Sequence, residues 1–341
     1  AQAQRMPQDS WYLAKEMKQS SDQDTHGIAV DAEDNIFISY HQANLIYKCS
    51  PELVFIKSFG AAGSGDGQFN GVLEMAIGSN QRLYVVDHSG HRVQYFDLDG
   101  NYLGKFGGEG TGNGNFKYPW GIAVSKDNKV YVADRGNDRI QIFDENGNYL
   151  SKFGTQGSFD GQFQSPHGVA VFPNGNVAVA DYGNKRIQTF NHEGKFLKNK
   201  SYYDLANQIL GTAYYVGNDS DRLNPEYVFS TQDGLLGVSG KTYTYRELDV
   251  GSKFNRESRI SFPILIADSQ LAGIKGWVPP GLLTDVWGEP PSHGVYYNDS
   301  HGGPIAELKG GDLIVANKDR VVRVWKRTFR TVHPEPANAL P

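Results

Sequence analysis

A single cysteine, Cys49, stands in a chain of 341 residues. That excludes an intrachain disulfide, a zinc–cysteine centre and an iron–sulfur cluster built from this chain alone. Cys49 falls on an expected strand and reads as a small buried apolar side chain. No apolar run approaches the ~18 residues at which a stretch becomes a transmembrane helix candidate. Charge of one sign is also scarce: 33 Lys and Arg stand against 38 Asp and Glu, a net charge of −5. No run of Lys or Arg makes a basic patch, so nucleic acid is not an expected partner. There is no G-x-S-x-G elbow. The glycine-rich GGEGTGNG at 107–114 joins two strand patterns rather than opening a helix, as a phosphate loop must.

Glycine is abundant, at 40 residues, and aromatics make up 12% of the chain. Both suit tight hairpins around stacked sheets. One sentence of sequence recurs. Copies start at His26 (HGIAVDAEDNIFISY), Leu73 (LEMAIGSNQRLYVVD), Trp120 (WGIAVSKDNKVYVAD) and His167 (HGVAVFPNGNVAVAD), a step of 47 residues each time. A fixed period of this length, with about four short apolar runs per unit, is the signature of β-propeller blades. In the third copy Gly121–Val124, Lys129–Asp134, Arg139–Phe143 and Tyr149–Phe153 are the expected strands, innermost to outermost. Asp99-Gly100, Asp127-Asn128, Asn146-Gly147 and Asn174-Gly175 supply turn residues that tolerate positive φ. Between units lie GSGDGQF (63–69), GTGNGNF (110–116) and GSFDGQF (157–163), whose Phe is expected to plug the seam between blades.

The pattern loosens after Lys198. Fifth and sixth copies start near Glu226 and Gly303, with Thr242–Leu248 as the expected third strand of the fifth. Steps of 59 and 77 imply insertions of 12 and 30 residues, the longer at about 262–302. Trp11–Met17 reads like a unit's last strand with no blade of its own, and pairing it with the last blade would close the ring and remove an open edge. The expected fold is therefore all-β: a six-bladed propeller of four-stranded blades over residues 11–329, closed by an N-terminal strand. Residues 1–10 are a polar leader and 330–341 a Pro-rich tail. The leader resembles what remains after cleavage at a small-residue site. With sequons at Asn199, Asn218 and Asn298, the expectation is an exported protein, secreted, extracellular or periplasmic.

The units resemble the NHL repeat family, six-bladed propellers with an apolar inner strand, a V-A-D strand end and an N-x-R-I/V segment. The matching residues are Asp134-Asn137-Arg139-Ile140 and Asp181-Asn184-Arg186-Ile187, with Asp87, Gly90 and Arg92 as a partial copy. Residues identical in every blade serve the blade, so these are read as structural. A more distant resemblance, carried by Ser165-Pro166-His167-Gly168-Val169-Ala170, is to the peptidyl-hydroxyglycine amidating lyase propellers. That resemblance implies zinc on blade-start histidines of alternate blades. His167 would be one ligand, with Glu74 on blade two and His301 on blade six in place of the family's histidines.

Two functional readings follow. The first is a binding or assembly module. Long loops on a rigid scaffold are where recognition concentrates, and the 262–302 insertion carries Trp277, Trp287, His293, Tyr296 and Tyr297, suited to a protein or glycan partner or to self-assembly. The second is a metal-dependent lyase or hydrolase at the channel mouth. Its candidate ligands are His26, Glu74, His167, Glu226 and His301, an imidazole and carboxylate set suited to zinc. Asp66 and Asp160 lie in glycine-rich loops where calcium is the alternative metal, but one carboxylate per loop fits a turn role better.

Overall fold

The structure, a computed structural model, describes residues 10–18, 25–202, 204–205, 224–241, 244–245, 259–260, 264–268, 270–271, 274–278, 305–316 and 321–328. After β1 (Ser10–Lys18), four blades follow one another, each a sheet of four consecutive antiparallel strands. The first blade is β2 (Thr25–Val30), β3 (Ile36–Tyr40), β4 (Leu45–Cys49) and β5 (Phe55–Phe59). The second is β6 (Val72–Ile77), β7 (Arg82–Asp87), β8 (Arg92–Asp97) and β9 (Tyr102–Gly107). The third is β10 (Ile122–Val124), β11 (Val130–Asp134), β12 (Arg139–Phe143) and β13 (Tyr149–Phe153). The fourth is β14 (Pro166–Val171), β15 (Val177–Asp181), β16 (Arg186–Phe190) and β17 (Phe196–Ser201). These sheets stacked through their faces make the protein an all-β β-propeller.

The expectation of six like blades is corrected here, because only four follow the consecutive-strand pattern. Two further four-stranded sheets are built differently. One joins β18 (Asn224–Ser230) and β19 (Leu235–Lys241) to β22 (Ile264–Asp268) and β23 (Ile274–Val278). The expected third strand at 242–248 does not join it. Instead β20 (Thr244–Tyr245) pairs with β21 (Arg259–Ile260) in a ribbon of two strands. ILIAD at 264–268 is a continuous apolar run where TYTYREL is not, and ILIAD is the segment that pairs with β19. Part of the expected insertion is thus sheet, with Trp277 opposite Leu265. The other sheet orders β24 (Ile305–Glu307), β25 (Leu313–Ala316) and β26 (Val321–Thr328) beside β1, in register from Ser10↔Thr328 to Lys18↔Val321.

Second strands lie between neighbouring blades and are buried on both faces, as in VYVAD (130–134) and VAVAD (177–181). Outer strands are largely exposed or half-exposed, and in β9 exposure alternates along the strand. The core is accordingly a series of apolar layers, each shared by two adjacent sheets. Phe69, Phe116 and Phe163 from the glycine-rich loops are fully buried in these layers, and Phe116 packs on Phe106 of one blade and Phe143 of the next. Gly154 precedes one such loop at φ +88°, and a Cβ there would lie 2.3 Å from the Phe163 ring.

The recurring Asp is the latch of blades two, three and four. Asp134 is wholly buried and accepts bonds from Lys117 N (2.8 Å), Asn137 Nδ2 (2.9 Å), Arg139 Nε (2.8 Å) and Gln141 Nε2 (3.0 Å). Arg139 spends its remaining donors on the carbonyls of Thr111, Gly112 and Asn115, so it ties the hairpin to the loop arriving from the previous blade. Asp181 with Asn184, Arg186 and Gln188 repeats the arrangement, and Asp87 with Arg92 keeps its core. The structural reading of these residues holds, and the glutamine is a further member outside the sequence motif.

Candidate functional site

In an antiparallel blade the start of the inner strand and the end of the second strand lie at one end of the sheet, as Val72↔Asp87 and Pro166↔Asp181 show. Two rings of side chains therefore meet at one mouth of the central channel. The first holds His26, Leu73, Trp120 and His167, the inner-strand starts. The second holds His41, His88, Arg135 and Tyr182, the residues that follow each second strand, also 47 apart.

Three members of the second ring, His41, His88 and Arg135, reach across the seam to the next blade, and Tyr182 stacks on His167 of its own blade. His41 Nδ1 faces the Val72 carbonyl at 3.2 Å and His88 Nδ1 the Pro119 carbonyl at 2.9 Å. A carbonyl only accepts, so each Nδ1 carries a proton and each Nε2 points away from that carbonyl. Burial pushes His88 down to about 4, with Arg135, His41 and His91 adding to the effect against the bond to Pro119. His88 is therefore a neutral imidazole at physiological pH. On blade three Arg135 Nε donates to His167 Nε2 at 3.1 Å, and its guanidinium lies over Trp120 at 5.5 Å. The His167 ring is sandwiched between Trp120 (centroids 4.2 Å, 10° apart in plane) and Tyr182 (4.0 Å, 15°).

Positions 44, 91 and 138 form a supporting set. Asn44 Oδ1, His91 Nδ1 and Asp138 Oδ1 accept the backbone N–H of Gly71, Tyr118 and Ser165, each a positive-φ residue of the next blade. His91 does there what an amide or carboxylate does in its siblings. Tyr118, an exposed ring, lies on both His91 (4.6 Å) and His88 (5.3 Å).

Below the mouth is a channel of about 190 Å³, lined by inner-strand residues such as Ile28, Met75, Ile122, Val169, Val228 and Ile305. Glu74 is the one carboxyl among the lining residues. Gly27, Gly121 and Gly168 hold the same place in the other three blades, because a Cβ at Gly121 would lie 2.3 Å from the His167 carbonyl. Glu74 Oε2 accepts the Ile122 N–H at 3.3 Å. Burial raises its carboxyl well above the usual range, and the nearby Glu226 raises it further.

The expected ligand set is only partly brought together, and not as a metal site. His26 is buried, with Nδ1 3.3 Å from the Tyr227 hydroxyl and its ring 5.0 Å from His41. His167 accepts from Arg135 inside its aromatic sandwich, and Glu74 is held by Ile122. Among the described residues no three His, Cys, Asp or Glu side chains are placed to hold a metal ion. His301, Trp287, His293, Tyr296 and Tyr297 lie outside the described residues, as do residues 1–9 and 329–341. Asp66 pairs with Lys105 of β9 (2.6 Å) and Asp160 accepts from Asn199 Nδ2 of β17 (2.5 Å), so each carboxylate ties its loop to an outer strand. His41, His88, His91, Arg135, Tyr118 and Tyr182 are absent from the sequence-based set. The signal was available: at 41, 88, 135 and 182 the repeat keeps its spacing but changes its chemistry. No helix among the described residues is long and apolar enough to cross a membrane.

No curated protein matches the sequence. Among solved structures, a catalytically inactive variant of virginiamycin B lyase from Staphylococcus aureus, solved with quinupristin, is similar at TM-score 0.57 and 11% identity, covering 94% of this chain and 100% of that one. A streptogramin B lyase is similar at TM-score 0.57 and 12% identity, covering 93% and 98%. A gluconolactonase from Xanthomonas campestris is similar at TM-score 0.57 and 12% identity, covering 89% and 85%. Likeness at these identities is one of fold. The NHL repeat family matches residues 116–143 and 163–190, the third and fourth copies, and with those folds it marks the chain as resembling an NHL-type β-propeller.

Proposed function

We propose that the protein binds a small organic molecule at the histidine- and aromatic-lined mouth of its channel and carries out acid–base chemistry on it, of the lyase or lactone-opening kind. One observation carries this reading. The residues identical from blade to blade form latches, whereas those that change, His41, His88, Arg135 and Tyr182 with His26, Trp120 and His167, collect at one end of the channel. A position freed from the shared framework is where a site can be built. Imidazoles whose Nδ1–H is fixed on a carbonyl suit proton transfer, Arg135 offers positive charge to a developing oxyanion, and Tyr118 and Trp120 offer ring faces. The similar folds that are lyases and a gluconolactonase support the same class. We further propose that the two irregular sheets complete a six-bladed ring with β1 as the outer strand of the last blade. The support is that β24 lies against both β18 and β2.

The test is mass spectrometry of a panel of lactones, gluconolactone and streptogramin B compounds included, incubated with the protein, alongside proton NMR of its imidazole C–H signals. Hydrolysis adds one water; elimination opens the ring at unchanged mass. Turnover lost in His41→Gln, with bound compounds shifting the signals of His26, His41 and His88, is the expected result. No turnover and no imidazole shift across the panel would return attention to a partner-binding face, such as the surface that carries the exposed Phe159.

A further inference from the structure

Glu74 breaks the repeat where the repeat is under the tightest steric control. Three blades hold glycine at this place because their inner strands approach the next blade's backbone too closely for a side chain. Blade two departs from that rule to put a carboxyl into a channel lined mainly by aliphatic inner-strand residues, with Tyr227 and Ser230 as its other polar members. A carboxylate in such a place costs several kcal/mol unless it is paired, and no described cation pairs with it. Its one hydrogen-bond partner among the described residues is the Ile122 N–H on Oε2, and the acidic group near it on β18 is Glu226. Framework needs account for none of this, since glycine serves the framework in the sibling blades.

We propose that Glu74 is a neutral carboxylic acid that donates a hydrogen bond from the channel to a carbonyl oxygen of the ligand, so that the ligand enters carbonyl first with an uncharged, largely apolar group such as a lactone or ester. The apolar walls take the ring or alkyl part, and a volume of about 190 Å³ is enough for a six-membered ring. No Lys, Arg or His is among the described lining residues, so an anionic group entering this end finds no counter-charge. This inference deepens the mouth-site reading and rests on it.

Infrared difference spectra between wild type and Glu74→Gln at neutral pH test it, with δ-valerolactone as probe and tetrahydropyran, the same ring without the carbonyl, as control. Glu74→Gly is the folding-safe variant, since it restores the residue of the sibling blades. The expected result is a carboxylic acid C=O band in wild type, absent from both variants, that moves when δ-valerolactone is added and stays still with tetrahydropyran. Lactone affinity should fall about tenfold in Glu74→Gly, the loss of one buried hydrogen bond. A carboxylate band in place of the acid band overturns the proposal. So does a lactone that shifts the imidazole NMR signals while leaving the acid band unmoved; in that case the mouth site itself stands. A lactone that disturbs neither signal overturns the mouth site and this inference together.

Discussion

Replacing Asp134 by Ala removes one carboxylate and strands the donors of Lys117 N, Asn137, Arg139 and Gln141. Both ends of the ion pair are buried, with side-chain exposures of 7% for Arg139 and 0% for Asp134. Breaking a buried pair by deleting one partner costs about 3–5 kcal/mol. Arg139 retains three backbone carbonyls, so the loss should lie at the low end, about 3 kcal/mol. Urea unfolding followed by tryptophan fluorescence reads it as a lower midpoint at constant slope. The control is Asp144→Ala. Asp144 accepts from Asn146 N, Asn148 N and Asn148 Nδ2, a comparable set of bonds, but in an exposed turn, and its loss should stay below about 1 kcal/mol. Equal midpoints for the two variants would refute the argument that burial sets the value of the latch. Blade one supplies a natural comparison: at the corresponding places it has Tyr40, Leu45 and Tyr47, with the two tyrosine rings 4.6 Å apart. Replacing the whole latch by apolar residues should therefore cost less than removing Asp134 alone.

Stability should also report on Glu74. Its folded carboxyl titrates above its ordinary value of 4.5, so the folded chain holds an extra proton above that pH and stability falls as pH rises from there. Glu74→Gln should flatten that slope in urea midpoints taken from pH 4.5 upward; an unchanged slope would show that the group is ionised in the folded protein. His88, pushed down to about 4, should show imidazole C–H shifts that stay constant from neutral pH down to near 5 and move only below it. A midpoint near the ordinary 6.5 would mean the ring is not desolvated. Because the unfolded ring takes up a proton first, His88 should weaken the fold as pH drops from 6.5 toward 4, and His88→Gln should remove that component. Gly121→Ala sets a methyl group 2.3 Å from the His167 carbonyl, so a clear drop in thermal midpoint is expected, larger than for Gly310→Ala, where no atom lies within 4 Å and φ is not positive.

The 47-residue step, the V-A-D strand ends and the Asn-Gly and Asp-Gly turns were enough to place the strands of four blades, because hairpin formation is local and each unit writes its own instructions. The latch was legible for the same reason, since Asp134, Asn137 and Arg139 lie within one hairpin. What those residues touch in the neighbouring blade was not, because the loop carbonyls at 111, 112 and 115 come from the previous unit. The fifth unit misled for a related reason: TYTYREL satisfies a local strand pattern, while the choice between it and ILIAD is made by which segment fills the space beside β19. Sequence pointed to His26, Glu74, His167, Glu226 and His301 as candidate metal ligands at the mouth. What it did not show is that His167 stands between Trp120 and Tyr182 and that Glu74 accepts from Ile122. Strand periodicity tells which end of a blade a side chain occupies. Only the stacking of blades around a common axis decides which side chains meet there, because those contacts join residues tens of positions apart through a curvature that no single repeat encodes.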